Sequence, residues 1–158
     1  MKLAYSCNKG VVLIALIICI TSCTKKKNTE PFDNDPIATR TLRYLTQKPW
    51  KETKLEYKNQ SGVWVEKPLP SEVASLTNVF KTDGTYIIYN QDGTTDFTGI
   101  YDIIGDNTQL ALNKSITYDF SILNDSAMQL TLPAQIPYTD PVSGNTTTYY
   151  GMRQTFGH

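Results

Sequence analysis

The sequence is poor in the residues that carry out most covalent and metal chemistry. It has three cysteines, at positions 7, 19 and 23, and its single histidine is His158. No serine lies in the Gly-x-Ser-x-Gly setting of a hydrolase nucleophile. The aspartates at positions 83, 92, 96 and 106 lack the spacing of a calcium-binding loop and are better explained as turn residues. The sequence therefore predicts no enzyme, no metal site and no cofactor.

A net charge is also lacking, because 15 basic residues balance 15 acidic ones. Proteins that bind nucleic acid through its phosphates usually present a basic surface. The one basic run, residues 25–27, is better explained as a solvated tether near lipid headgroups than as a phosphate site. We therefore predict no nucleic-acid partner.

A long apolar run occurs only near the N-terminus, at residues 11–20, after Lys2 and Lys9. As a helix it would rise about 15 Å, half the thickness of the hydrocarbon core, so it is short for a membrane anchor. The pattern is typical of a removable secretory signal. The following residues, Ile20 to Cys23, resemble the lipobox of bacterial lipoproteins. An ordinary secretory signal and an uncleaved short anchor are the alternatives, and both also export the domain.

The lipobox resemblance implies that residues 1–22 are a lipoprotein signal peptide and that Cys23 carries acyl chains such as palmitate. Each buried methylene contributes about 0.8 kcal/mol, so a multiply acylated cysteine is a durable membrane anchor. Cys7 and Cys19 would be discarded with the signal, which leaves no free thiol. Thr24 does not match the aspartate that retains lipoproteins in the inner membrane. We therefore predict the outer membrane. Some surface-displayed lipoproteins carry an acidic run just after the cysteine, whereas this chain has lysines at 25–27, so the periplasmic face is favoured over the cell surface.

Two further regions follow from composition. Residues 23–35 are polar and charged and cannot bury a core, so they predict a lipidated flexible tether. Residues 36–158 form the predicted folded domain. Asp35 as N-cap and Pro36 at the first helical position indicate a short helix, whose apolar positions include Tyr44 and Leu45.

The rest of the domain has the punctuation of antiparallel sheet. Short segments rich in Thr, Tyr, Ile, Val and Leu alternate with turn residues, and Asp-Gly pairs at 83–84 and 92–93 are strong hairpin signals. The predicted strands are residues 50–58, 63–67, 76–81, 85–89, 96–104, 109–112, 116–122, 128–132 and 146–156. Closing such a sheet removes its exposed edges. We predict an all-β fold, an antiparallel up-and-down barrel of about eight strands with a short N-terminal helix; a β-sandwich is the alternative.

Three segments, residues 80–86, 99–103 and 110–112, resemble the small lipocalin-like domains of bacterial lipoproteins, and the similarity covers about residues 45–156. Lipocalins open their first strand with Gly-x-Trp and place an arginine near the last strand. Trp50 matches the tryptophan and Arg153 the arginine, while Lys48 stands at the glycine position. The resemblance implies that Arg153 stacks on Trp50 and closes the barrel.

A lipocalin-like barrel implies an interior that is filled or holds one small ligand. The candidate ligand-lining residues are Tyr86, Tyr101, Tyr118, Phe120, Met128 and Tyr150. They are also good strand formers, so a purely structural role is the alternative. The proline-rich segment 133–145 is predicted to be a loop that covers the open end.

The sequence thus predicts a lipid-anchored lipoprotein of the cell envelope that binds a small apolar ligand. The alternative is an interaction module with a packed core that docks an envelope protein or a glycan. An aromatic-lined interior of about 300 Å³ or more would favour the ligand.

Overall fold

The computed structural model describes residues 36–158. The predicted signal segment and tether lie outside the described residues, as do Cys23, the predicted acylation site, and Asp35, the predicted N-cap. Within residues 36–158, no helix is long and apolar enough to cross a membrane.

The domain begins with a short helix, as predicted. Helix α1 (Ile37–Thr46) starts directly after Pro36, which is the N-cap rather than the first helical residue. The carbonyl of Pro36 accepts the first helical hydrogen bond from the N–H of Arg40, at 2.9 Å. The side chains of Tyr44 and Leu45, on the inner face of this helix, are buried. A second helix, α2 (Ser71–Ala74), is a single turn that the sequence analysis did not predict.

Antiparallel strands make up most of the remaining chain, which confirms the all-β class. The strands are β1 (Lys51–Lys58), β2 (Trp64–Lys67), β3 (Thr77–Phe80), β4 (Thr85–Tyr89), β5 (Thr95–Ile104), β6 (Gln109–Leu112), β7 (Ile116–Leu123), β8 (Met128–Leu132), β9 (Ile136–Thr139), β10 (Thr146–Tyr149) and β11 (Met152–Gly157). Nine of them form one sheet in the order β2-β1-β11-β8-β7-β6-β5-β4-β3. Strands β9 and β10 form a separate two-stranded sheet.

The main sheet is large and open. Within residues 36–158, its strand pairing does not show the closed hydrogen-bonded barrel that was predicted. Its edge strands are β2 and β3. One antiparallel bridge links Trp50, just before β1, to Asn78 on the edge strand β3; β1 is the second strand from the opposite edge. In this bridge the N–H of Trp50 donates to the carbonyl of Asn78 (2.8 Å), and the N–H of Asn78 donates back (2.7 Å).

Two predicted Asp-Gly turns have nearly the same geometry. The carboxylate of Asp83 accepts hydrogen bonds from the N–H (2.9 Å) and hydroxyl (2.6 Å) of Thr85, and Asp92 accepts the same pair from Thr94. These bonds hold the pKa of both carboxyls below its usual value. Gly84 and the glycine after Asp92 both adopt φ of +83°, which glycine tolerates best. The aspartates are therefore turn residues.

The C-terminal part departs from the prediction. The predicted loop at residues 133–145 contains β9, and the predicted single strand at 146–156 is divided into β10 and β11. The chain bends between them, where the N–H of Tyr150 donates to the carbonyl of Lys58 (2.7 Å) and Lys58 donates back to Gly151 (2.9 Å). Strand β11 then inserts between β1 and β8.

The predicted stack of Arg153 on Trp50 is wrong. Arg153 pairs with Glu56, whereas Lys51 at the start of β1 pairs with Gly157. At about 3.3 Å per residue, this register places Arg153 far along the strand from Trp50. Its guanidinium lies instead 4.4 Å from the ring centroid of Trp64.

Trp50 is fully buried, but its contacts differ from those expected. Its indole N–H donates to the carbonyl of Leu45 (2.9 Å), which ties the end of α1 to the sheet. Its ring lies 4.1 Å from that of His158. Both ring nitrogens of His158 lie within hydrogen-bond distance of backbone carbonyls, of Pro49 (2.7 Å) and Asp125 (3.1 Å). Trp50 thus joins α1, β3 and the end of β11 at one end of the sheet.

Candidate functional site

A cavity of about 230 Å³ lies on the inner side of the main sheet. Its wall is formed by Glu52, Val73, Leu76, Asn78, Phe80, Tyr86, Ile88, Leu112, Tyr118, Met128, Leu130, Gln154 and Phe156. These residues come from α2 and its C-terminal flank and from seven strands, including β1 and β3 near opposite ends of the sheet order. The sheet therefore curves around the cavity.

The cavity is smaller than the interior of about 300 Å³ or more that would favour a ligand-binding barrel. Drug-sized ligands usually occupy about 300 Å³ or more, so 230 Å³ lies below that range. An engineered apolar cavity of about 150 Å³ is large enough to bind benzene. The space in this protein therefore fits a molecule with one ring or a short alkyl chain.

Three of the six predicted ligand-lining residues, Tyr86, Tyr118 and Met128, lie in the cavity wall. Tyr86 and Met128 are buried, and Tyr118 is half-buried. The ring of Tyr86 lies directly over Gly99 of β5, where an added Cβ would stand 2.5 Å from the Cε1 atom of Tyr86. Gly99 therefore fixes how closely this ring approaches the sheet.

The other three predicted residues, Tyr101, Phe120 and Tyr150, do not line the cavity. The hydroxyl of Tyr101 donates to the carbonyl of Lys81 (2.6 Å), so this buried side chain supports a turn. Phe120 packs against the core outside the cavity wall. Tyr150 lies at the bend before β11 and is 42% exposed. Strand alternation alone did not separate these residues from the true cavity wall.

The most unusual group in the cavity, Glu52, was not predicted from the sequence. The residue is only 6% exposed. Its Oε2 atom accepts a hydrogen bond from Nε2 of Gln154 at 2.9 Å, while its buried Oε1 atom has no partner among the described residues. Burial raises the pKa of this carboxyl to about 7, and the bond from Gln154 opposes the increase. Buried acids are normally paired, so the free oxygen is an exception.

Glu56 on the same strand has the opposite environment. It accepts a 2.9 Å hydrogen bond from Nε of Arg153 and lies 3.0 Å from Nζ of Lys54. These partners hold its pKa below the usual value, with the Arg153 bond as the largest cause. The negative charge of Glu56 is therefore paired with two cations, whereas Glu52 has no cationic partner among residues 36–158.

A β-bulge explains why the two acids differ. In a regular strand, Glu52, Lys54 and Glu56 would share one face. The pairing of β1 with β11 shifts between Glu52 and Lys54, so that Glu52 lies opposite Phe156 while Glu56 lies opposite Arg153. Phe156 lines the cavity, and the bulge thereby turns Glu52 inward.

The polar surroundings of Glu52 are uncharged. The pKa of Tyr118 on β7 is raised, mainly by burial and then by the nearby Glu52. The hydroxyl of Tyr86 is within hydrogen-bond distance of Nδ2 of Asn113 (3.1 Å), which donates to it. Neither group neutralises a negative charge on Glu52.

The segment predicted to cover the cavity packs elsewhere. Tyr138 and Tyr149 of the β9–β10 sheet lie against Tyr57 of β1, each with a 5.1 Å separation of ring centroids. No residue of β9 or β10 lines the cavity. Val73 of α2 and Leu76 after it contribute to the cavity wall instead.

Neither metal-binding clusters nor similarity to known proteins indicates a function for this chain. Among residues 36–158, no group of three or more His, Cys, Asp or Glu residues is arranged to hold a metal ion. No protein-family model matches the chain, and no curated protein is significantly similar to it. The functional inference therefore rests on the geometry of the cavity and on its buried acid.

Proposed function

We propose that this chain is a lipid-anchored lipoprotein of the cell envelope that binds one small, largely apolar molecule in the cavity around Glu52. The observation that carries the proposal is a mostly apolar cavity with one unpartnered, buried carboxylate oxygen. Leaving a buried polar group unsatisfied costs about 1–3 kcal/mol. A ligand that supplies the missing partner recovers this cost on binding.

The proposal includes closure of the sheet into a lipocalin-like barrel. The Trp50–Asn78 bridge supports closure, because it joins the residue before β1 to β3. The shared cavity supports it as well, since strands from both halves of the sheet contribute to one wall. Strands β3 to β8 also follow one another in the up-and-down order that such barrels have.

The envelope location is supported by the sequence of residues 1–23. Acylation of Cys23 anchors the protein, and the tether of residues 23–35 separates the barrel from the bilayer. A fully extended chain spans at most about 3.6 Å per residue, so this tether reaches about 45 Å. We propose the periplasmic face of the outer membrane as the site of anchoring.

Binding is favoured over catalysis by the composition of the cavity wall. Glu52 is the only carboxylate among the residues that line the cavity, so the paired acids of a glycosidase are not assembled there. A single acid with apolar neighbours suits recognition of a donor group. We therefore propose a binding protein and not an enzyme.

A second candidate function is docking of an envelope protein or a glycan. It is favoured by partly exposed apolar side chains on β5 and β7, the two strands that flank β6 in the sheet. Those on β5 and β7 are Phe97, Ile100, Ile104, Ile116 and Ile122, each 40–45% exposed. In this case the cavity would be a packing defect, and substitutions in its wall would not change binding of the docked protein or glycan.

Native mass spectrometry of the protein extracted from its own membrane tests the two candidates. We expect a retained small molecule with the wild-type protein and its loss in Leu112→Trp, because Leu112 lines the cavity and the larger indole fills it. Leu132→Trp is the matched control, since Leu132 does not line the cavity. Absence of any bound molecule, or equal retention by both variants, would favour docking.

A further inference from the structure

The free oxygen of Glu52 restricts which groups can bind there. An ionised carboxylate only accepts hydrogen bonds, and Oε2 already accepts one from Gln154. The unpartnered Oε1 is buried at the cavity. A ligand that uses this atom as an acceptor must present an N–H or O–H group.

Among the described residues, no positively charged side chain lines the cavity around Glu52, and no cation contributes to the shift of its pKa. Tyr118 on β7, Tyr86 on β4 and Tyr57 on β1 present hydroxyl groups and no basic group. Strands β3, β8 and β11 contribute only uncharged side chains to the wall: Asn78, Phe80, Met128, Leu130, Gln154 and Phe156. On α2, Glu72 is exposed and does not line the cavity. Within residues 36–158, the wall therefore contains one acid and no base.

Aromatic rings make up a large part of the same wall. They are Phe80, Tyr86, Tyr118 and Phe156. Phe80 and Tyr86 stack with their centroids 5.7 Å apart. The faces of such rings attract cations, and aromatic residues commonly surround bound ammonium groups. The rings therefore attract a positive charge, which is also the partner that the carboxylate of Glu52 lacks.

We infer that the ligand is an apolar amine, a molecule with one protonated nitrogen that donates a hydrogen bond to Oε1 of Glu52 while its hydrocarbon part fills the aromatic cavity. The inference rests on the proposed function and specifies the chemical class of its ligand. The opposite possibility is a neutral ligand that accepts a hydrogen bond from the protonated carboxyl of Glu52. The aromatic rings of the wall attract a cation, which favours the amine, and at pH 8 the carboxyl of Glu52, whose pKa is about 7, is mostly ionised.

Matched pairs of probes test this inference by calorimetry on the full-length protein in detergent. The amines are benzylamine, phenethylamine and hexylamine, and the neutral partners are benzyl alcohol, 2-phenylethanol and 1-hexanol. At pH 8 we expect the best amine to bind at least tenfold more tightly than its alcohol. Equal or tighter binding of the alcohol would overturn the inference.

The pH dependence provides a second readout. The amine requires ionised Glu52, whose pKa is about 7 in the empty cavity. Its affinity should therefore rise about tenfold per pH unit between pH 5 and 6.5 and level off above pH 8. A ligand that accepts a bond from protonated Glu52 would bind more weakly as the pH rises. That result would contradict the amine.

Glu52→Gln keeps the shape of the side chain but removes its charge. We expect it to weaken amine binding on the order of 30-fold and to abolish the pH dependence. Glu66→Gln is the control, because Glu66 is an exposed acid paired with Lys54 outside the cavity. A thermal melt of each variant confirms that it is folded. Unchanged amine affinity in folded Glu52→Gln would refute the inference.

The probes also separate this inference from the proposed function. If the alcohols bind in the cavity and the amines do not, the ligand class is wrong but the protein still binds small molecules. If none of the six probes binds and no molecule is retained from the host membrane, both proposals fail.

Discussion

Burial of Glu52 makes the stability of the unliganded protein depend on pH in an uncommon direction. The folded-state pKa of about 7 lies above the ordinary value of 4.5. Between these two values the unfolded chain is ionised while the folded protein holds the proton. Stability is therefore highest near or below pH 4.5 for this group and decreases as the pH rises through about 7.

Glu52→Gln should remove this term. We expect the free energy of unfolding of the wild type, relative to Glu52→Gln, to fall by about 3 kcal/mol between pH 4.5 and 8. Urea unfolding at a series of pH values measures the difference, and taking it relative to the variant cancels the titration of other groups such as Glu56. A difference that stays constant with pH would show that Glu52 is solvated or paired.

The close contact of Gly99 with Tyr86 gives a second prediction. In Gly99→Ala the new Cβ would lie 2.5 Å from Cε1 of Tyr86 and 2.6 Å from Oδ1 of Asn113. The ring must shift, and overpacking of this kind costs about 1–3 kcal/mol. Because Tyr86 lines the cavity, we also expect weaker binding of the phenethylamine probe. Chemical unfolding and calorimetry measure the two effects.

Gly157→Ala is the control for this substitution. Gly157 also lies in a strand, but its nearest contact for an added Cβ is Cγ2 of Thr53 at an ordinary 3.6 Å. We expect a change in stability of less than about 1 kcal/mol and no change in binding. Equal effects of the two substitutions would mean that Gly99 is not specially constrained.

Residues of the cavity wall were predictable only in part. Tyr86, Tyr118 and Met128 line the cavity, but the alternation along β7 that selected Tyr118 also selected Phe120, which does not. Glu52 escaped prediction because a bulge reverses its face, and a bulge leaves no clear sign in one sequence. Glu52 also lies between Lys51 and Lys54, and so polar a segment gave no reason to expect a buried side chain.

At the scale of elements, Arg153 joins β11 to the edge of the sheet. It contacts Glu56 on β1 and the ring of Trp64 on β2. Its side chain is 24% exposed, so solvent screens the ion pair only in part. Arg153 thus adds a side-chain contact from β11 to the edge strand β2, which is also paired with β1 through its backbone.

Arg153→Met should destabilise the protein by about 2 kcal/mol, less than the loss of a fully buried ion pair because Arg153 is partly exposed and Lys54 still pairs with Glu56. Urea unfolding measures the loss. Arg153→Lys is the control, and we expect it to recover only part of the stability, since lysine keeps the charge but not the planar contact with Trp64. Full recovery by lysine would show that charge alone matters.

Short-range signals predicted most strands, and their absence explains the failures. The Asp-Gly turns correctly predicted the hairpins β3–β4 and β4–β5. Strand β9 was missed because Pro137 argues against a strand, although an edge position in a two-stranded sheet tolerates it. Helix α2 has four residues, too few to show helical periodicity. Pairing of β1 with β11 joins residues about a hundred positions apart, which no local pattern specifies.

On the scale of the whole molecule, the proposed anchor and the proposed binding site are separate. The proposed anchor is Cys23 with the signal before it, whereas every residue of the cavity wall lies within 52–156. Acyl chains stabilise the membrane-bound state independently of the fold. Loss of the anchor should therefore change the location of the protein without changing its affinity for a ligand.

Cys23→Ser tests this separation. We expect the variant to leave the membrane fraction and to bind phenethylamine with the affinity of the wild type, because the cavity needs no lipid. Cys19→Ser is the matched control: it also removes a thiol, but within the predicted signal segment, so it should stay membrane-bound. Fractionation of cells measures the first effect, and protease treatment of intact cells should leave the wild type uncut if it faces the periplasm. Should Cys23→Ser remain in the membrane fraction, a route other than acylation holds the protein there, and the reach set by residues 23–35 would no longer define where the cavity lies.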